Sequence, residues 1–194
     1  ITVAIQGVGN VGLGLAEHLY QAGAQLIVSD VNEANLALAR EKFQATVVDN
    51  DSIGTIQADV FAPCAMGGAI NDVSVKQLRA SIVAGAANNQ LITPDIADEL
   101  RARDILYAPD YVINAGGIIH IHYMRSQLGW KASTEHVKGI ADTLQQIFMR
   151  ADNEGATTSE IADKMAEERF RVSGSNGSQS LAADSDLFGK LSNG

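Results

Sequence analysis

The sequence predicts a doubly wound α/β fold, a parallel sheet covered by helices on both faces, followed by a C-terminal helical appendage. Three observations lead there. Short runs that are apolar throughout alternate with segments of helical period as far as Tyr111; the connections between them are short; and beyond Tyr111 only the helical period remains. A strand without a polar face must be buried on both sides, and a parallel sheet between two helix layers buries it so.

The elements follow in order. Thr2 to Gln6 reads as a strand, and Gly7-Val8-Gly9-Asn10-Val11-Gly12 leads into a helix over Leu13 to Gln21, where Leu15, Leu19 and Ala22 keep the period. Ala24 to Ser29 is a second strand, Glu33 to Phe43 a helix, and Ala45 to Val48 a short third strand. Asp59 to Ala62 supplies the fourth, Val75 to Arg79 a helical turn, and Ser81 to Gly85 the fifth. Thr93 offers an N-cap with Pro94 at the first helical position, opening a helix to Arg103, and Ile105 to Ala108 is the sixth strand.

Three helices are expected after Tyr111: Gly117 to Gln127, Ser133 to Arg150 and Thr158 to Arg171. Ser133-Thr134-Glu135 and Thr157-Thr158-Ser159-Glu160 supply acceptors for the last two N-termini. Val137, Ile140, Leu144, Ile147 and Phe148 form an apolar stripe that must be buried. The domain division read from these patterns is 1–132 for the sheet domain, 133–171 for the helical segment and 172–194 for a flexible tail rich in Ser, Gly and Asn. A chain that opens one residue before a core strand is further expected to have lost preceding sequence.

Composition excludes several classes. With 194 residues, 46% hydrophobic and a mean hydropathy of +0.02, the chain can bury a sizeable core. The 14 Lys and Arg against 23 Asp and Glu give a net charge of −9, which argues against general nucleic-acid binding but leaves room for a small anion at a local site. No stretch approaches the roughly 18 apolar residues of a membrane span. A single cysteine, Cys64, rules out an internal disulfide framework and a cysteine-based zinc cage, and cytoplasmic localisation is the default expectation.

Chemistry gathers at the strand ends. In the turn from the first strand into the first helix, Gly7 permits a tight turn, Gly9 lets backbone approach a pyrophosphate and Gly12 lets helix and strand pack closely; Asn10 and Val11, within the same turn, are expected beside the cofactor, whose phosphates face the positive helix N-terminus. Asp30 closes the second strand at about the 20-residue spacing at which a carboxylate meets the adenosine ribose hydroxyls. This combination points to a Rossmann fold that binds a dinucleotide. Val31-Asn32-Glu33 bring no positive charge for a 2′-phosphate, so NAD is expected over NADP, with Val31 beside the cofactor. The competing reading of Asp30 is a helix N-cap.

Five linked motifs, QGVGNVG, SDVNE, DVFAPCAMGG, VAGAANNQL and YAPDYVINAGG, are followed by MAEERF. In order and spacing they resemble the Glu/Leu/Phe/Val amino-acid dehydrogenases, the leucine, valine and phenylalanine branch most of all, over residues 1 to 171. The resemblance implies an NAD-dependent enzyme that oxidatively deaminates an aliphatic or aromatic L-amino acid to the 2-oxo acid and ammonia. It also implies an N-terminal substrate domain carrying a catalytic lysine and aspartate; no such motif precedes Gly7, so this chain resembles the cofactor domain alone, with no catalytic residue of its own. Partners implied are that domain, the amino acid and further copies in a homo-oligomer. The resemblance further implies that part of the apolar stripe from Val137 to Phe148 lacks its partner here, so that the chain self-associates or stays mobile from Ser133 onward. The alternative is a free-standing NAD-binding or regulatory domain without chemistry.

By the same resemblance, the Cys64-Ala65 backbone lies along the nicotinamide ribose, Asn88 reaches the cofactor and the substrate, and Asn114 faces the nicotinamide. Cys64 as a nucleophile is rejected, because nothing from Ala62 to Gly67 would lower its pKa. Asn88 and Asn89 as mere turn formers, and Asn114 as a helix cap, stay open. Ile118 and Ile121 share a helical face that the resemblance assigns to the substrate side chain, with a core role as the alternative. His120 and His122 lie about 200° apart on a helix, so no metal site is expected; His18 and His136 read as surface or partly buried residues.

Overall fold

A computed structural model describes residues 1–171; the expected flexible tail, 172–194, lies outside the described residues. Strand β1 (Thr2–Gln6) alternates its side chains between two cores. Val3 and Ile5 join Val8, Ala16, Leu26, Val28 and Leu36 under helices α1 (Asn10–Gln21) and α2 (Glu33–Phe43), and Ala4 joins Phe61, Ile70, Val83 and Leu100 on the other face. Strands β2 (Gln25–Ser29), β3 (Thr46–Val47), β4 (Val60–Pro63), β5 (Ile82–Val83) and β6 (Leu106–Tyr107) complete a parallel sheet of order β3-β2-β1-β4-β5-β6. The winding reverses between β1 and β4. A crevice therefore opens at the carboxyl ends of these strands, where Gly7, Asp30, Cys64 and Asn88 follow.

The first helix starts at Asn10, three residues before Leu13, because Gly9 sits extended (φ −70°, ψ −161°) as its N-cap. Thr93 does not cap the fourth helix. Thr93 to Ile96 form a turn with Pro94 at its second position, where the ring's fixed φ suits it, and after the short α3 (Ser74–Gln77) the next helix is α4 (Ile96–Ala102).

Helices α5 (Asp110–Ile113), α6 (Gly116–Arg125) and α7 (Gly129–Glu154) follow, and residues 158–171 form α8. Ser133-Thr134-Glu135 is not an N-terminus: α7 begins at Gly129 and runs unbroken through the expected division at 132/133. The chain reverses through Gln127 (φ 55°) and Gly129 (φ 79°), no side chain caps the new helix, and Ser133, 2% exposed, turns inward within hydrogen-bond range of His120 Nδ1 (3.4 Å). At α8 the expected acceptors form a reciprocal box: Thr157 N–H donates to Glu160 Oε2 (2.7 Å) and Glu160 N–H to Thr157 Oγ1 (3.2 Å).

Most of the stripe finds its partner within the chain. Leu144 and Ile147 are buried, and Ile147 joins Ala151, Ile161, Ala162 and Met165 in a third core, with Phe148 and Val112 packed against it; Val137 alone stays 36% exposed. The appendage adds no strand. It docks on β6 through Thr158 Oγ1, which donates to Tyr107 O (2.7 Å), and on α5 through Asp163 Oδ1, which accepts from Tyr111 Oη (2.8 Å). No helix among the described residues is long and apolar enough to cross a membrane.

Charge also ties α8 to α7. Lys164 donates to Glu154 (2.6 Å), and Arg150 reaches both Glu154 (3.1 Å) and Glu168 (2.9 Å). These cations hold both carboxyls below the usual glutamate range, Lys164 and then Arg150 acting on Glu154, and Arg150 on Glu168. A depressed carboxyl contributes stability that is present above its unfolded value, near pH 4.3, and lost as pH falls through the folded one. Acidification below about pH 4 is expected to release α8 before the sheet, seen as hydrogen exchange rising in 158–171 while β1 stays protected. Simultaneous loss of both, or a pH dependence of exchange in 158–171 unchanged by Glu168→Gln, would refute this role of the ion pairs.

Candidate functional site

At the turn after β1, Gly7 takes φ 91° and its N–H donates to Ser29 O (2.8 Å), tying the end of β1 to β2. A Cβ on Gly12 would stand 2.0 Å from Gly7 O, so helix α1 leaves the turn with no room for a side chain there. A Cβ on Gly9 would meet nothing within 4 Å. The N-terminus of α1, free of any side-chain cap, thus borders open space, and the amides of its first turn suit a phosphate group that approaches the backbone closely. The chain fits a pyrophosphate on this cradle. Val11 and Asn10 are exposed at its rim.

Asp30 is not the cap of α2. Asn32 is, its Oδ1 accepting from Ala34 N–H (2.9 Å), whereas Asp30 Oδ1 accepts from Asn32 N–H (2.8 Å) and Oδ2 from Val8 N–H (2.7 Å). The carboxylate is thereby pinned beside the glycine turn. Each oxygen keeps a further lone pair for a hydroxyl donor. Val31 next to it is 90% exposed.

Cys64 and Ala65 pass beneath the turn: a Cβ on Gly7 would lie 2.7 Å from Ala65 Cβ, and one on Gly12 3.5 Å from Cys64 Cβ. Burial pushes the Cys64 thiol pKa up, against a smaller opposing hydrogen bond with the Ala86 backbone. Such a thiol is a poor nucleophile. Alkylation by iodoacetamide at pH 8 is expected to run at least about tenfold slower in the folded chain than in denaturant, followed by mass spectrometry; equal rates would show an activated or open thiol.

Across the crevice, the structure joins two of the expected residues directly. Asn114 Nδ2 donates to Asn88 Oδ1 at 2.6 Å. Asn114 does not cap α6, which Ala115 precedes, and Asn89 beside Asn88 adopts the left-handed φ of 51°, so the loop formers and the amide pair divide the work. Sequence reasoning passed over the two groups beneath them. Gln90, fully buried, donates through Nε2 to Gly85 O (2.8 Å) and Ala87 O (3.0 Å), and its backbone N–H donates to Asp110 Oδ2 (2.7 Å) on buried Asp110. Both stand within the flagged strand-end motifs, but a Gln or Asp in a loop reads as solvated, and only the tertiary fold buries it.

Ile118 and Ile121 are 71% and 52% exposed on one face of α6, away from any core. Three histidines make ring contacts: His120 meets Trp130 edge-on at 4.9 Å, and Tyr123 meets both His122 and His136 at 5.6 Å; no group of three or more His, Cys, Asp or Glu placed to share a metal ion is found among the described residues. His18 and His136 are exposed.

Residues 28–167 match the family described as Glutamate/Leucine/Phenylalanine/Valine dehydrogenase. The chain is 44% identical to leucine dehydrogenase of Geobacillus stearothermophilus over 88% of this chain and 46% of that protein. It is 42% identical to phenylalanine dehydrogenase of Bacillus thermotolerans over the same shares. The crystal structure of L-tryptophan dehydrogenase from Nostoc punctiforme superposes with a TM-score of 0.86 at 42% identity, covering 88% of this chain and 52% of that one. The chain spans about half the length of the curated relatives it matches.

Proposed function

The chain belongs to the glutamate/leucine/phenylalanine/valine dehydrogenase family, and on that premise we propose that it is the NAD-binding half of an L-amino-acid dehydrogenase. The observation that carries this reading is the open cradle at Gly9 with the Asp30 carboxylate pinned beside it. Gly7, Gly9, Asn10, Val11 and Gly12 hold the pyrophosphate by backbone amides. Asp30 accepts the adenosine ribose hydroxyls, with Val31 alongside. The Cys64-Ala65 backbone borders the nicotinamide ribose, and Asn88 and Asn114 present amide groups to the nicotinamide and the substrate's amino group. When bound, the nicotinamide supplies a hydride acceptor at C4, and this chain's part is to hold that carbon in reach of Cα and to orient the groups around it.

The catalytic lysine and aspartate belong, in this reading, to a substrate domain in the half of the relatives that the chain does not span. Ile118 and Ile121, exposed on α6, would form the apolar wall for an aliphatic or aromatic side chain once that domain closes over them. The whole enzyme works as a cytoplasmic homo-oligomer that deaminates its substrate to the 2-oxo acid and ammonia.

Calorimetric titration tests the reading. NAD is expected to bind at least about tenfold tighter than NADP, whose 2′-phosphate would meet the Asp30 carboxylate. The isolated chain is expected to give no NAD reduction with leucine or valine above background. Equal affinities would remove the ribose role of Asp30, and turnover would show that the catalytic groups lie within these residues.

A further inference from the structure

We propose that Gln90 and Asp110 are positioning residues that hold the Asn88–Asn114 amide pair in register for the nicotinamide end of the cofactor, an inference that rests on the reading of the crevice as an NAD site. The two asparagines come from different elements. Asn88 stands on the loop after β5, and Asn114 follows α5, so their 2.6 Å contact survives only if loop and helix keep a fixed separation. Asn88 is itself exposed, so apart from the bond to Asn114 its position depends on the backbone of its loop.

Two residues further on, Gln90 supplies that hold. Its Nε2 spends both hydrogens on the carbonyls of Gly85 and Ala87, folding residues 85–90 onto a single side chain, and its N–H donates to Asp110 Oδ2 at the start of α5. Asp110 N–H in turn donates to Tyr107 Oη (3.2 Å) and Asp110 O accepts from Asn114 N–H (3.0 Å), so the element that carries Asn114 is anchored at the same buried point. Gln90 Oε1 makes no hydrogen bond among the described residues. An acceptor left without a protein partner is tolerated at a buried site where the donors cannot be turned away: flipping the amide would set Oε1 against two carbonyl oxygens. Apolar packing alone would have no use for such a group.

The test uses this chain with Gln90→Leu, Asp110→Ala and Asp110→Asn, titrated with NAD and with ADP-ribose, which lacks the nicotinamide. Side-chain amide NMR of Asn88 and Asn114 is recorded on the same samples. Gln90→Leu and Asp110→Ala are expected to lower the NAD to ADP-ribose affinity ratio about tenfold, and to move the Asn114 Nδ2 resonances toward free amide. Asp110→Asn keeps an acceptor for Gln90 N–H and is expected to restore both. Variants that lose NAD and ADP-ribose in equal proportion, or neither, overturn the proposal. Should either truncation fail to fold, Gln90→Met, which keeps the side-chain length without the amide donors, takes its place: a lowered ratio with a shifted Asn114 amide supports the proposal, and a wild-type ratio and amide overturn it. A wild-type chain that binds neither ligand overturns the NAD reading instead, and the NMR arm then decides whether the clamp holds the amide pair.

Discussion

Gly12→Ala is expected to lower the thermal midpoint of the chain by about 6–12 °C and to leave no measurable NAD binding, the first figure following from a cost of about 3 kcal/mol at 2–4 °C for each. The new methyl would stand 2.0 Å from Gly7 O and 3.0 Å from Gly7 C, both backbone atoms, with Cys64 Cβ on the far side at 3.5 Å. No flexible side chain can move aside. Either α1 leaves β1, uncovering Val8 and Ala16, or the turn opens and Gly7 N–H gives up Ser29 O. Two other glycines separate folding from binding. At Gly14 a Cβ meets nothing within 4 Å, so Gly14→Ala is expected to stabilise the helix by about 0.5–1 kcal/mol. Gly9→Ala, equally unobstructed and at a φ of −70° that alanine accepts, is expected to keep the midpoint while losing the cofactor. Scanning calorimetry beside titration reads all three, and a wild-type midpoint for Gly12→Ala would disprove the packing argument.

Asp30→Ala is expected to cost NAD affinity about 10- to 100-fold, the equivalent of hydrogen bonds to one charged acceptor. Two effects combine. The ribose hydroxyls lose their acceptor, and Val8 N–H and Asn32 N–H lose theirs, so the turn and the start of α2 lose a shared tether. Asp30→Asn tells them apart. It keeps an oxygen for one of the two amides, removes the charge, and is expected to narrow the gap between NAD and NADP while leaving the thermal midpoint near wild type. Unchanged affinity in both variants would mean that the carboxylate serves the turn alone.

How much of this was legible in the letters depended on whether a signal was local. β1 and α2 fall where the alternation and the helical period put them, and the capping box at Thr157 and Glu160 is a four-residue motif that needs no knowledge of the rest of the chain. The start of α7 was not legible. Ser133-Thr134-Glu135 has the composition of a cap, but the hydroxyl of Ser133 is turned toward His120 across a reversal at Gln127 and Gly129, a contact between helices that no window of sequence contains. In the crevice, glycines and Asp30 could be read from spacing because backbone geometry dictates their type. Gln90 and Asp110 could not, since their type is dictated by partners reached only when β5 and α5 are side by side.

The hydrogen bond from Thr158 to Tyr107 bears on the protein's behaviour at high concentration. β6 is the last strand of the sheet, and Leu106 and Ala108 turn their N–H groups inward to β5. The groups of Tyr107 therefore face outward, where an unpaired strand invites another to add itself. The Thr158 hydroxyl occupies that carbonyl, and α8 lies over the border of the sheet. Cutting the chain before residue 158 would remove this cover and leave the outer carbonyl of Tyr107 open to another strand, so the last described helix closes the border of the sheet as well as completing a core.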